Sequence, residues 1–378
     1  MIFVTWHFKS YIMKYLLYSC CLITLSLLSA CKKDNDDDRP SEPVALRDSI
    51  LVNNLSHPWE ILWGPDDFIW MTERGGKISR VNPATGQVTP LLTINEVVAQ
   101  NEGGMLGMVL HPDFNANPHI FVAYNYNSAN GYREKVVRYT YSNNTLTSPM
   151  TIVDDIQAAS IHNGCRLLIT PDLKLFITTG DASNTSLAQD AGSLNGKVLR
   201  VNLDGSNPAD NPTPGSRVWS LGHRNPQGLV FANNKMYSSE HGPNDNDEIN
   251  IIEKGRNYGW PNVRGLCDQS SEQNFCTTNN VQEPIQTWTP TIALSGMDYY
   301  DKNQIPQFKN SLLVATLKHE RLMQLKLNDD RTAVDSVAEF FAGKYGRMRD
   351  VCISPDGTVY ICTSKGNDVI VEVKARTN

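Results

Sequence analysis

The sequence predicts an all-β chain, a six-bladed β-propeller with four-stranded antiparallel blades, and three observations predict it. Helical periodicity is scarce from about residue 50 onward. In its place, runs of four to eight β-branched and aromatic residues alternate with polar breaks and with Gly, Pro, Asp or Asn turns, which is how hairpins read. One such unit then recurs six times, at 64–82, 111–126, 170–181, 232–243, 309–327 and 354–373. The spacing from one unit to the next is close to the period of a propeller blade. A sandwich would account for the strands but not for six similar units. Long insertions at 183–219 and 262–290 read as loops on the faces of the ring.

Residues 1–31 read as an address. Lys14 precedes an apolar stretch at 15–28, and Leu28-Ser29-Ala30-Cys31 follows. This is the layout of a secretory signal, too short in its apolar part for a membrane span. LSAC resembles the cleavage box of bacterial lipoproteins, in which the cysteine, here Cys31, is lipidated. A plain signal peptide with a chance cysteine is the alternative. Residues 32–47 lack apolar content and read as a flexible acidic tether. No linker divides 48–378, which is expected to be one propeller domain. The layout implies an exported protein held to the membrane by its lipid alone, on an outer membrane facing the periplasm or the cell surface of a Gram-negative bacterium.

The 378 residues carry a formal net charge of −6. That excludes nucleic acid as the main partner, because phosphate binding needs clustered positive charge. Export permits disulfides. Cys267 and Cys276 flank a polar stretch, and a bridge there would close a loose loop. Cys352 and Cys362 lie on two apolar runs around one turn, either paired or simply buried. Cys165 is left over. No cysteine or histidine spacing points to zinc.

Four segments hold polar residues that strand cores do not need. Asn101-Glu102-Gly103-Gly104 precedes a strand, and its glycines permit a tight backbone beside a ligand or merely make a turn. His162 sits at a loop-to-strand junction, placed as a general base or as a structural histidine. The stretch 222–261 is rich in carboxylates and turn carbonyls, which suit a hard cation such as calcium or an acidic solvated turn, and its spacing is not that of an EF-hand. Lys318 and the pair Arg347 and Arg349 are basic. If the pair lies on a strand, its members point the same way and present two forks to one anion, unless they are plain surface arginines. There is no GxxxxGK[ST], HExxH, GxSxG or strand-linked GxGxxG. Phosphoryl transfer and nicotinamide chemistry therefore have no support.

Together these segments resemble the soluble quinoprotein glucose/sorbosone dehydrogenases, or aldose sugar dehydrogenases, from about His57 to Val373. The strings are EGGMLGMVLHPDF, HNGCRLLITPD with TTGD, GKVLRVNLDGSNPADNP, LGHRNPQGL, EHGPNDNDEIN, NYGWPNV, PTIALSG, SLLVATLK and GRMRDVCISPDG. The resemblance implies pyrroloquinoline quinone (PQQ) at the mouth of the channel. It implies calcium on the backbone of Gly242 and Pro243, and a second calcium near Asp247, Glu248 and Tyr258. His162 matches the general base. Arg224, Lys318, Arg347 and Arg349 match the basic cofactor contacts, with Arg224 also counted as catalytic. Asn225 and Thr291 match further cofactor contacts, and Glu102 matches a substrate-facing residue. The implied activity is oxidation of an aldose at its anomeric carbon to a lactone, with an unidentified electron acceptor. Ile161 stands where some members carry a carboxylate, and Cys165 where a small residue is usual, close enough to crowd the site or react there. Leu294 replaces a usual proline, and the loop at 262–290 looks short. Broad aldose specificity follows from these departures. A propeller that binds sugar or a partner without turnover, and a calcium-dependent lactonase, are the competing readings.

Overall fold

The computed structural model describes residues 42–376. The signal segment, Cys31 and most of the tether lie outside the described residues. Six sheets of four antiparallel strands form a ring. Their innermost strands are Pro58–Trp63, Met105–Leu110, Gly164–Ile169, Pro226–Ala232, Leu294–Tyr300 and Met348–Ile353, counted here as blades one to six. Five blades are simple meanders. The sixth is completed on its outer edge by the N-terminal strand Leu46–Leu55, which pairs with Asp368–Ala375. The fold therefore begins at Leu46, two residues before the boundary expected from the sequence. This pairing closes the ring through the two ends of the chain.

Burial falls from the channel outward. The second strand of blade five, Ser311–Thr316, is wholly buried, whereas its outer strand Val334–Phe340 has no buried residue. Apolar faces of adjacent blades pack on one another. Trp59, Leu106, Phe121, Val136, Leu167, Ile177 and Leu199 form one such cluster. The six recurring Pro-Asp and Asn turns all fall between first and second strands, so they mark one face of the ring. The loop at 262–290 contains a short helix, Ser270–Asn279, which the sequence reading missed because it has no apolar stripe. A left-handed Asn280 ends it, and the expected Cys267–Cys276 bridge ties its middle to the preceding loop. Cys165, Cys352 and Cys362 are free and buried.

Every inner strand carries a register shift near its N-terminal end, as between Pro226 and Gly228 or Met348 and Asp350. Such bulges re-aim side chains. Here they accompany a polar network that spans the channel. Arg166 of blade three meets Glu60 of blade one at 2.5 Å and Asp350 of blade six at 3.0 Å. Its Nε donates to the Gln227 carbonyl of blade four at 2.8 Å. Glu60 accepts the Met108 N–H of blade two at 3.2 Å, and Asp350 accepts the Ile61 N–H at 2.8 Å. Arg349 donates to the Gln227 side chain at 2.6 Å and to Ser295 of blade five at 3.2 Å. All six blades thus meet in one buried network. Burial raises Glu60 well above the usual carboxylate range and raises Asp350 too, while the Arg166 charge pulls both down.

Other buried carboxyls make stability depend on pH. Burial pushes Glu134 up to about 8 and Asp298 up to about 7. Each holds its proton more tightly in the folded chain, so its contribution is full below the unfolded value and is lost as pH rises through the folded one. His241, pushed down to about 3 mainly by burial, acts in the opposite sense only up to its unfolded value near 6.5. The melting temperature is therefore expected to fall between pH 6.5 and pH 8. Glu134→Gln should flatten that slope in thermal melts. An unchanged slope in the variant would remove Glu134 as its source.

Candidate functional site

In a four-stranded meander, the connections from second to third strand and from fourth strand to the next blade lie on the same face. Glu102, His162, Arg224, Asn225, Thr291 and Arg347 precede inner strands, whereas Gly242, Pro243 and Lys318 lie between second and third strands. The ring thus gathers them at one mouth, opposite the recurring turns, with Arg349 just inside it.

The centre of the mouth is a histidine held by a carboxylate. His162 Nδ1 lies 2.8 Å from Asp181 Oδ1. The other Asp181 oxygen accepts the Trp260 indole N–H at 2.9 Å. Asp181 is fully buried, and its own N–H donates to the Arg224 carbonyl at 2.8 Å. With Nδ1–H committed to the carboxylate, the ring presents Nε2 as its free basic nitrogen. Nε2 has no hydrogen-bond partner among the described residues. Glu102 accepts the His162 backbone N–H at 3.2 Å, which brings it beside the histidine. His162, Gly164 and Cys165 all have left-handed backbones, with φ of 60°, 68° and 73°. Two of these are not glycine, so local strain accompanies the base. A side chain at Gly180 would put its Cβ 1.9 Å from the His162 carbonyl, so only glycine fits there.

The cations surround this pair. Arg224 donates to the His241 carbonyl at 3.1 Å and lies over the Trp260 ring, 5.3 Å from its centroid. Burial lowers its pKa despite Asp181, Glu240 and Glu102. Lys318 donates to Thr291 at 3.1 Å, and Arg347 reaches the Leu317 carbonyl at 3.4 Å, which joins these three positions along one side. Arg349 is almost fully buried, and burial pushes it down to about 10, still charged at neutral pH. Arg347 and Arg349 do not form the strand-alternate pair expected from their spacing. The strand begins at Met348, and the bulge turns Arg349 onto Gln227 and Ser295. Two buried donors beside these cations, Asn225 Nδ2 and Arg349 Nε, have no partner among the described residues. Buried donors without acceptors are costly, so a mouth with several cations and two such donors suits an anion rich in acceptors.

The loop after Glu240 is braced from below. Glu240 accepts the backbone N–H groups of Arg224 and Asn225, and it is held in turn by His223, whose Nδ1 lies 2.9 Å away. The carbonyls of Gly242 and Pro243 accept no backbone hydrogen bond among the described residues, which suits a hard cation. Of the second cation set, Glu248 and Tyr258 line one pocket together with Gly242 and Pro243. Asp247 accepts the N–H groups of Gly242, Ile292 and Ala293, and so fastens one loop to the next blade. The Tyr258 hydroxyl is committed to Ile251 and Glu253, with its ring stacked on His223. Glu248 accepts from Gly265 and Asn250, and burial followed by Glu240 pushes it up to about 8. Among the described residues, no group of three or more His, Cys, Asp or Glu is arranged to hold a metal. Cys165 also departs from the expectation. It lies in an inner strand, fully buried, with its thiol on Glu134, and burial keeps it protonated. It neither lines the mouth nor offers a thiolate there.

Sequence reasoning missed Asp181, Trp260, Glu240 and Gln227. Each lies inside a string singled out in the sequence, TTGD for Asp181, LGHRNPQGL for Gln227, EHGPNDNDEIN for Glu240 and NYGWPNV for Trp260, but none was given a role.

A carboxylate-held histidine beside a cationic cradle, on one mouth of a six-bladed propeller, makes an enzyme site suited to an anionic ligand. Residues 55–372 match the family model described as Glucose / Sorbosone dehydrogenase. The chain belongs to that family. It is 33% identical to quinoprotein glucose dehydrogenase B of Acinetobacter calcoaceticus, over 94% of this chain and 91% of that protein. It is 31% identical to aldose sugar dehydrogenase YliI of Escherichia coli (strain K12), over 88% of this chain and 94% of that protein. Among solved structures, the PQQ-bound form of aldose sugar dehydrogenase from Streptomyces coelicolor superposes with a TM-score of 0.76 at 31% identity, covering 88% of this chain and 99% of that one.

Proposed function

We propose that this protein is a PQQ-dependent dehydrogenase that oxidises aldose sugars at the anomeric carbon to lactones. The observation that carries the reading is the His162–Asp181 pair lying beside a cradle of cations with orphaned donors. Similarity to a quinoprotein glucose dehydrogenase and to a PQQ-bound aldose sugar dehydrogenase supports the choice of cofactor. Arg224, Asn225, Thr291, Lys318, Arg347 and Arg349 would hold the anionic quinone, and the Gly242 and Pro243 carbonyls a calcium ion. When bound, the quinone accepts a hydride from the sugar, and calcium polarises it as a Lewis acid.

The chain's own work is binding, orientation and proton transfer. His162 Nε2 takes the proton of the anomeric hydroxyl, and the Asp181 carboxylate steadies the imidazolium that results. Glu102 faces the sugar beside the base. The Cys165 thiol is buried on Glu134 rather than exposed at the mouth, which weakens one of the two departures that spoke for a non-catalytic propeller. The Cys267–Cys276 bridge fits an oxidising compartment and supports export.

The purified protein, reconstituted with PQQ and calcium, is expected to reduce an artificial dye with several aldoses and to need both additions. Cofactor binding without turnover for any sugar would favour the non-catalytic reading. Hydrolysis of a lactone without PQQ would favour the lactonase.

A further inference from the structure

Lys197 opens the third strand of blade three and is fully buried. Its ammonium donates to the carbonyls of Leu187 at 2.7 Å, Ala188 at 3.0 Å and Asn195 at 2.7 Å. That uses all three of its N–H bonds, and among the described residues no carboxylate hydrogen-bonds to it. A buried cation without a counter-ion is expensive to keep. Burial accordingly draws it down to about 8, with only Asp190 opposing. A structural apolar residue would avoid that cost, so the placement calls for an explanation in the loop it holds.

The three carbonyls belong to the two arms of the loop between strands Lys174–Thr179 and Lys197–Asn202. Leu187 and Ala188 close the short 3₁₀ turn Thr185–Ala188, and Asn195 stands at the far end. Asp181 begins this loop. Ser183 N–H donates to the Asp181 side chain at 2.8 Å, and Ala182 N–H to the His162 carbonyl at 3.0 Å. Ala182 and Ser183 both hold left-handed backbones, φ 49° and 59°, so the turn at the base needs support from elsewhere. The same loop is stitched to the cofactor side, where Ala188 O accepts Gly222 N–H at 3.0 Å and Gly196 O accepts His223 N–H at 3.1 Å.

We infer that Lys197 is a positioning residue, an internal ammonium clamp that draws both arms of the 180–196 loop together and thereby fixes Asp181 against His162. The inference rests on the reading of His162 and Asp181 as the reacting pair. Lys197 lies at the foot of the loop, touches no reacting atom, and acts only through Asp181.

The test uses the full chain with and without PQQ and calcium. Lys197→Met fills the same space without donors, and is expected to lower kcat about 10-fold or more while the PQQ dissociation constant stays within about 3-fold. Hydrogen exchange in the protein without cofactor should speed up in residues 180–196 and not in the other blades. The double variant Lys197→Met/Asp181→Asn should be no slower than Asp181→Asn alone, because a residue acting through another shows no additional loss. Lys197→Arg keeps the charge and donors, and should retain more activity and more exchange protection than Lys197→Met. It carries the same comparison if the methionine variant does not fold. Losses that multiply in the double variant, or unchanged kcat and exchange in folded Lys197→Met, overturn the inference. If the parent enzyme turns over no sugar, the reading of the catalytic pair fails instead, and the exchange measurement still decides whether Lys197 orders the loop.

Discussion

Replacing His162 by alanine is expected to lower kcat for aldose oxidation by about 10²–10⁴-fold, the usual contribution of a positioned general base. The affinity for PQQ should change little, because the cofactor contacts come from other residues. Asp181→Asn should approach the same loss. An asparagine can turn its amide N–H toward Nδ1 and force the proton onto Nε2, which leaves no lone pair to receive the substrate proton. Steady-state kinetics at saturating PQQ, with cofactor titration alongside, separates the two quantities. A His162→Ala enzyme within 3-fold of the parent, by the same rate scale, would show that another group takes the proton.

The largest stability effect is expected at the centre of the ring. Arg166→Met removes the one cation among the described residues that touches both Glu60 and Asp350, and leaves two buried carboxyls without it. Breaking a buried pair in this way typically costs about 3–5 kcal/mol. Because Glu60, Arg166 and Asp350 act together, the triple replacement Glu60→Gln/Arg166→Met/Asp350→Asn should recover part of that loss. Guanidinium denaturation of the parent, single and triple variants measures both. A single variant as stable as the parent would mean that the carboxyls are already neutral and that the network does not pin the blades electrostatically. Burial raises both carboxyls and so suppresses part of their charge, which places the expected loss at the lower end of that range.

Much of this molecule is written in local patterns. Six turns followed by β-branched runs were enough to count the blades, because each blade is a short-range meander whose strands are neighbours in sequence. Glu102, His162, Arg224 and Thr291 were named by the family resemblance, and the fold places each just before an inner strand, on one face of the ring. The polar helix at 270–279 was not legible, because a disulfide and a left-handed cap hold it rather than an apolar stripe.

What the sequence determined by itself is the blade count and the polar segments set between the blades, because hairpin periodicity and turn residues depend on neighbours along the chain. Only the tertiary structure decided that Asp181 grips His162 from 19 residues away and Trp260 grips Asp181 from 79, and that Arg166 meets Asp350 across 184. The last of these joins blades three and six across the ring, which the pairing of Leu46–Leu55 with Asp368–Ala375 closes. Closure brings six strand ends to one axis, and the bulge at each end sets which side chain faces inward, a choice that alternation along the chain cannot predict.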